Sequence, residues 1–291
     1  MWQRTLTPHA TETDLVDPGV LITARAHMKE HTGSKYTEAA LIVARRMLHD
    51  YDLVPHLQTG STRSRAYFLL LELIAEFPIL QQCLAAPHVR TLHLDVGPGG
   101  FIDAVLKKAP KADWHATSST EVYEHIRNAK KNNGHARLLH HSIAHEVGEP
   151  QLITMQGSLE NLTLALQILH PQGILVAQCD NPYSEVVTVC AAKFQHVVVC
   201  KPRLLAPSAP DFIVLAWHPG PAAVPLQPMG VVDALARMEL QGIQQAANLA
   251  FYLTQIDVKG YADTQTLYFD HIATNASRME KVHRVLEQIT C

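Results

Sequence analysis

A glycine-rich turn after a short apolar segment is the clearest candidate for ligand chemistry in this sequence. The turn is formed by Asp95, Gly97, Pro98, Gly99, Gly100 and Phe101, with Val96 after the acid. Glycine lets the backbone pass close to a ligand and adopt angles that other residues avoid. In doubly wound α/β sheets, ligands bind at such turns beyond the carboxyl end of a strand. The motif therefore predicts a ligand site. The alternatives are an ordinary tight turn or a nucleotide-binding turn of another class.

Two groups of side chains elsewhere could also contact ligands. Four basic residues are candidates for phosphate contacts: Arg63, Arg65, Lys201 and Arg203. Two of them stand at the start of a predicted helix and two precede the last predicted strand, so we expect them near the substrate side of the sheet. Ordinary solvated surface charges are the alternative. The histidines at 140, 141 and 145 have no matching cluster elsewhere, so they predict a solvated loop and no metal site.

Strand-like and helix-like segments alternate through the middle of the chain and would position these residues. Short apolar runs predict strands at residues 91–96, 114–117, 152–155, 173–179, 196–200 and 212–217. Helical spacing predicts helices at residues 35–49, 64–77, 101–108, 121–131, 161–169 and 183–194. This rhythm predicts an α/β fold, with a mostly parallel sheet and helices on both faces. The last two strands are close enough in sequence to form an antiparallel hairpin at one edge.

The two ends of the chain lack this alternation. Residues 1–35 are polar and mixed, which predicts an irregular arm. From Val231 to Cys291 the pattern is helical with a break near Gly260, which predicts a helical appendage. We therefore expect an N-terminal arm and helix at residues 1–60, a central domain at 61–220 and a helical extension at 221–291.

The composition excludes several classes of protein. With 291 residues, 47% of them apolar and 18% charged, the chain can bury a sizeable core. A net charge of −3 argues against a strongly basic nucleic-acid binder, so any such contact would come from a local patch. The five cysteines are irregularly spaced, which predicts a reducing intracellular compartment with no disulfide framework or zinc site. No apolar run approaches the length of a membrane span, and the first residues do not resemble a signal peptide.

Four motifs in a fixed order extend the argument beyond the turn. They are SRAYFLLLEL at 64–73, PGGF at 98–101, HPQGILV at 170–176, and FQHVVVCKPR with PSAPDFIV at 194–203 and 207–214. Over about residues 61–219, the ordered set resembles the FtsJ/RrmJ family of RNA ribose 2′-O-methyltransferases. The resemblance implies a Rossmann-like class I methyltransferase fold and a pocket for S-adenosylmethionine. In such a pocket Asp95 would bind the amino group of the cofactor, directly or through water.

The resemblance also implies a catalytic Lys-Asp-Lys-Glu tetrad, which this chain does not keep. The first lysine falls on Leu69, or on Phe68 if the register slips, and the aspartate falls on Gln156. The second lysine, which is the general base of the family, falls on Gln178. Only the last acid is nearly kept, as Asp211. Leucine cannot titrate, and a glutamine amide does not accept a proton at neutral pH, so this register predicts that the chemistry of the family is absent.

The expected cofactor site is altered as well. The turn of the family usually has two more residues between its first glycine and the proline, whereas Gly97 and Pro98 are adjacent here. The second strand normally ends near an acid that holds the cofactor ribose, but here it ends in hydroxyl-bearing residues beginning with Thr117. The expected cofactor contacts are Asp95, Gly97, Pro98, Gly99, Gly100, Phe101 and Thr117.

Two functional hypotheses follow from these observations. The first is a catalytically degenerate homologue, a pseudoenzyme that binds RNA or serves as a structural subunit of a ribonucleoprotein of the ribosome or ribosome-assembly type. The second is an active S-adenosylmethionine-dependent 2′-O-methyltransferase acting on rRNA, tRNA or an mRNA cap. A protein partner could bind the C-terminal helical region, and we expect no membrane association. The sequence DNPY at 180–183 resembles an amino-methyltransferase motif, but it stands after the wrong predicted strand, so we interpret it as a turn.

Overall fold

The computed structural model describes residues 2–6, 16–30, 64–95, 97, 99–117, 137–139, 147–182, 184–202, 204–205, 209–222 and 225–255. Its centre is an eight-stranded sheet. The strands are β1 (Trp2–Thr5), β2 (Arg90–Leu94), β3 (Asp113–Thr117), β4 (Arg137–Leu139), β5 (Leu152–Gln156), β6 (Ile174–Cys179), β7 (Phe194–Lys201) and β8 (Phe212–Pro219).

The order of the strands across the sheet is β1-β7-β8-β6-β5-β2-β3-β4. Strands β2 to β6 are parallel to one another. Strand β8 is antiparallel to both β6 and β7, so β7 runs in the direction of the parallel strands. Along the chain, β3 and β4 are added on one side of β2, and β5 and β6 are then added on its other side. This reversal of strand order creates a ligand crevice at the carboxyl ends of the parallel strands. The expected Rossmann-like class I methyltransferase fold is confirmed.

Seven described helices flank the sheet. They are α1 (Pro18–Glu30), α2 (Arg65–Glu76), α3 (Pro78–Leu84), α4 (Gly100–Lys108), α5 (Leu159–Ile168), α6 (Glu185–Lys193) and α7 (Met229–Gln255). Proline 78 disfavours helical geometry at the preceding residue, so α2 ends at Glu76 and α3 begins at the proline. Serine side chains cap α5 and α6, because Ser158 accepts from Asn161 N and Ser184 from Val186 N.

Two apolar layers hold these helices on opposite faces of the sheet. On one face α2, α3 and α4 contribute residues such as Leu69 and Phe101 to a cluster that includes Val176 of β6. On the other face α5, α6 and the start of α7 pack through Leu162, Val187 and their neighbours against the alternate residues of the same strands. Central strands with both faces covered read as continuous apolar runs, as the buried sequence ILVA at the start of β6 shows.

The N-terminal region is more ordered than its sequence predicts. Residues 1–35 were expected to form an irregular arm, but β1 pairs with the edge of β7 and α1 packs along α7. Two long-range contacts hold α1, because Arg25 forms a bidentate ion pair with Glu239 and Val16 N donates to Asp233. That prediction was wrong because backbone pairing and ion pairs between distant segments leave little local pattern in the sequence.

The predicted hairpin needs a second correction. Strands β7 and β8 are antiparallel as expected, but β8 lies inside the sheet between β6 and β7. The predicted helices at 35–49 and 121–131, and the helical pattern beyond residue 255, fall outside the described residues. No single described helix is long and apolar enough to cross a membrane. The bent pair α2–α3 reaches that length and apolar composition only when the two helices are taken together.

Candidate functional site

The glycine turn lies where the sequence placed it, between β2 and α4. Asp95 has a φ of 53°, a left-handed conformation that residues other than glycine seldom adopt. Gly97 and Gly99 follow with φ values of 58° and 104°, and Gly99 is the residue that caps α4. A side chain would strain either glycine position. Pro98 lies outside the described residues.

Side chains from two other elements hold Asp95 in this conformation. Its backbone N donates to the hydroxyl of Thr117, at the end of β3, over 3.1 Å. The Nδ2 of Asn161, on α5, donates to Asp95 Oδ2 over 3.0 Å and to the carbonyl of Gln156 over 3.3 Å. The carboxyl ends of β2, β3 and β5 are therefore tied together around Asp95. Thr117 was predicted to contact the cofactor, and in the structure its buried hydroxyl accepts from the backbone of the turn.

The end of the turn is shaped by the approach of α2. A Cβ added to Gly100 would lie 2.0 Å from Ser64 Oγ and 2.8 Å from the backbone N of Tyr67. Gly100 therefore allows α2 and α4 to pack closely beside the turn. Phe101, a predicted cofactor contact, is buried in the apolar layer under α2, so its side chain supports the turn from below.

Three of the four tetrad-equivalent positions, Gln156, Gln178 and Asp211, lie at the same edge of the sheet as this turn. Gln156 is the last residue of β5 and Gln178 the last but one of β6, and the two are direct partners in the parallel register. Side chains alternate along a strand, so Gln178 shares a face with Val176, and Leu69 belongs to the apolar cluster on that face. Leu69 is 1% exposed, whereas Gln156 is exposed and Gln178 half-buried.

Asp211 reaches this edge from the opposite direction. Because Cys179 pairs with Phe212 in the antiparallel ladder, the next pair of positions brings Asp211 opposite Asp180. Asp211 is half-buried and Asp180 exposed. The neighbouring thiol is not a nucleophile, because burial raises the pKa of Cys179 to about 12 and keeps it protonated. At the tetrad positions the edge therefore presents one carboxylate and two amides, while Leu69 is buried in the apolar layer on the face of Gln178.

Lys201 lies at the same edge but its side chain turns inward. It is 5% exposed, and its ammonium donates to the carbonyl oxygen of Ala209. Burial lowers its pKa to about 8, although the nearby charges of Glu239 and Asp211 act in the opposite direction. The sequence suggested a phosphate contact for Lys201, whereas the structure gives it an interior position that stabilises the segment before β8.

The same segment is held from α2. Arg65 Nη2 donates to the carbonyl of Leu204 over 2.7 Å, and the backbone N of Leu204 points at Glu72 Oε2 at 3.5 Å. Arg65 and Glu72 are seven residues apart and so share one helix face. Arg65 remains exposed and is the one predicted phosphate contact that the described residues place at the surface. Arg63 and Arg203 lie outside the described residues.

Asn161 is the site residue that sequence reasoning missed. It is the third residue after the Ser158 cap, a position whose side chain can reach back over the start of the helix. Its neighbours in sequence gave no indication that the amide would meet Asp95, which lies 66 positions away. Within the described part of the chain, no group of three or more histidine, cysteine or acidic residues could hold a metal ion.

Comparisons with known proteins give only distant matches. No family model matches the chain, and no curated protein does. Among solved structures, an O-methyltransferase family protein from Burkholderia thailandensis is 10% identical with a TM-score of 0.39, covering 53% of this chain and 56% of that one. The match thus spans less than two thirds of that protein.

Two further solved structures show the same level of similarity. One is a fibrillarin/Nop5p complex, at 12% identity and a TM-score of 0.37, covering 50% of this chain and 82% of that one. The other is human methyltransferase-like protein 13 in complex with SAH, at 16% identity and a TM-score of 0.37, covering 60% of this chain and 90% of that one. Similarity at this level does not bear on function, and the fold assignment rests on the strand order.

Proposed function

We propose that this protein is a catalytically degenerate FtsJ-like RNA methyltransferase homologue that acts as an RNA-binding or structural subunit of a ribonucleoprotein of the ribosome or ribosome-assembly type. The observation that carries the proposal is the pair Gln156 and Gln178, side by side at the cleft edge, with buried Leu69 on the face of Gln178. The resemblance assigns a carboxylate and two lysines to these positions. None of the three side chains present can take a proton from a ribose hydroxyl.

The loss in rate expected from these replacements is large enough to leave a protein that binds its ligand but does not turn it over. General-base assistance is worth about 10²–10⁴-fold in rate, and charge stabilisation of the transition state can contribute as much again. A pocket that keeps its shape but loses both effects would bind its ligand without useful turnover.

We further propose that the pocket for S-adenosylmethionine is retained. The left-handed turn that begins at Asp95 is held because Asp95 N donates to the Thr117 hydroxyl and Asn161 donates to the Asp95 carboxylate, so the turn is organised by the protein itself. The start of α4 at Gly100 adds the positive end of a helix dipole nearby, which suits an anionic group of a ligand. The contacts proposed for the cofactor are Asp95, Gly97, Pro98, Gly99 and Gly100.

In this proposal residues 61–220 form most of the methyltransferase-like domain, 1–60 an N-terminal segment whose strand β1 joins the sheet, and 221–291 the helical extension. RNA would lie along the edge marked by Arg65, with Arg63 and Arg203 as further phosphate contacts. Such contacts release counterions, so binding should weaken as the salt concentration rises. A protein partner would use the C-terminal extension.

The test separates ligand binding from methyl transfer. Calorimetry with S-adenosylhomocysteine should show binding that Asp95→Asn abolishes and that Glu185→Gln, an exposed carboxylate at another helix start, leaves unchanged. Tritiated S-adenosylmethionine should then transfer no label to total RNA or to a capped transcript. Label at ribose 2′-oxygens at ordinary enzymic rates, lost in Asp95→Asn, would instead establish the active 2′-O-methyltransferase.

A further inference from the structure

The buried amide of Asn161 is a feature that neither the sequence motifs nor the tetrad explains. Its side chain has no exposed surface, and its Nδ2 lies within hydrogen-bond distance of two acceptors, Asp95 Oδ2 and the Gln156 carbonyl. A buried donor that lost such partners would destabilise the fold, because its N–H groups would be left without acceptors away from water. The amide therefore joins three elements, because it lies on α5 and bonds Asp95 after β2 and the last residue of β5.

The contact fixes the side chain of Asp95 as well as its backbone. Thr117 accepts from the backbone N at 3.1 Å, which holds the left-handed main chain. Asn161 holds Oδ2 at 3.0 Å, which sets the direction of the carboxylate plane. With both held, the carboxylate has one orientation before any ligand arrives, so binding need not order it.

The charge of the residue that bonds Asp95 determines which ligand groups the Asp95 carboxylate can bind. An arginine or lysine at position 161 would fix Asp95 equally well but would neutralise its charge. A neutral amide orients the carboxylate and leaves its negative charge for a cationic ligand group.

We propose that Asn161 is a positioning residue that aims Asp95 at the ammonium of an amino-acid-bearing nucleoside ligand, so that the pocket discriminates against nucleosides without that group. This inference rests on the proposed cofactor pocket. It assigns the discrimination between nucleosides with and without an amino acid to the Asn161–Asp95 pair, and it predicts that the pocket binds the latter weakly. The relevant comparison is between S-adenosylhomocysteine, which carries the amino acid, and 5′-methylthioadenosine, which lacks it.

The experiment measures both affinities by calorimetry at pH 7.5 for the full chain and its variants. Wild type should prefer S-adenosylhomocysteine. Asn161→Leu should lose about 10- to 100-fold of that affinity, the value of a hydrogen bond to a charged group, with less than about 3-fold change for 5′-methylthioadenosine. The matched control is Gln167→Ala, an exposed amide on the same helix, which should change neither affinity.

Asn161→Asp adds a readout that a purely structural role would not move. It has nearly the shape of asparagine and would place two carboxyl groups about 3 Å apart, where one proton is shared at low pH. Near pH 6 the protonated acid can donate as the amide does, so preference for S-adenosylhomocysteine should approach that of wild type. Towards pH 8 both groups ionise and repel, and the preference should decline, while that of wild type stays flat.

The outcomes separate the two proposals. If wild type binds both ligands equally, or if the preference survives in Asn161→Leu and is independent of pH in Asn161→Asp, the role of Asn161 is wrong and the pocket stands. If wild type binds neither ligand, the cofactor pocket itself is wrong, and the role of Asn161 is wrong with it. Should Asn161→Leu not fold, Asn161→Asp and its pH profile decide alone.

Discussion

His93 on the central strand β2 should make this protein sensitive to acid. The imidazole is wholly buried between two threonine hydroxyls, with Nε2 at 3.0 Å from Thr91 Oγ1 and Nδ1 at 2.8 Å from Thr154 Oγ1. Burial lowers the pKa of His93 from 6.5 to about 3, and the nearby charge of His115 acts in the same direction. The native state therefore keeps a neutral imidazole.

The sign and size of the effect follow from proton linkage. Between pH 6.5 and about 3 the unfolded chain binds a proton at His93 and the native state does not, so the free energy of unfolding falls as the pH falls. The slope is about 1.4 kcal/mol per pH unit. Over the whole interval, 6.5 − 3 = 3.5 units, the loss approaches about 5 kcal/mol. That is comparable with the total stability of many domains.

Urea denaturation at pH 4.5, 5.5, 6.5 and 7.5 measures this effect. His93→Gln replaces the ring with a group that can still bond the hydroxyls but cannot titrate. It should be less stable than wild type at pH 7.5 and should approach or overtake it by pH 4.5. His88→Gln, at an exposed position, is the control and should follow wild type throughout. Parallel curves for wild type and His93→Gln would refute the reasoning, since no proton would then be linked to this site.

Three further predictions concern the packing around the site. Gly100→Ala would force a Cβ to within 2.8 Å of the Tyr67 backbone N and should lower the free energy of unfolding, measured by chemical denaturation, by about 1–3 kcal/mol. Adding Ser64→Gly should recover only part of this loss, and full stability of Gly100→Ala would contradict the close helix contact. Because the pKa of Lys201 is lowered to about 8 from 10.5, wild type should gain stability as the pH rises between these values, and Lys201→Met should lose that gain; a pH-independent wild type would show that the amine is not buried. Ser158→Ala should lower the unfolding free energy by about 1 kcal/mol, and an unchanged midpoint would mean that the cap is not used.

Four of the parallel strands, β2, β3, β5 and β6, could be predicted because each contains a short, mostly apolar run, whereas β4 was not predicted. Strands such as β5 and β6 are buried on both faces, so their residue types alone mark them. The position of β8 could not be predicted in the same way. Whether a hairpin lies at an edge or within a sheet depends on which strand its second member pairs with, and that choice is made by distant segments.

The candidate site could likewise be predicted only where local sequence determines the structure. The turn at Asp95 and the amides Gln156 and Gln178 were found from motifs, because local sequence fixes where a strand ends. The role of Asn161 and the inward turn of Lys201 were not found, because each depends on a contact made only after the chain has folded. A side chain bonded across 66 positions, as Asn161 is to Asp95, leaves no trace at its own place in the sequence.

The pairing of β1 with β7 has a consequence for biosynthesis. Trp2 pairs with Lys201, so β1, which is made before every other described strand, waits for a partner made almost at the end of the sheet. During that wait the growing chain carries an unpaired extended segment, and β7 can emerge and pair with β8 before β1 docks. Removing residues 2–6 would leave the edge of β7 open to pairing with other chains, so the main effect of such a truncation would be aggregation of the folded protein.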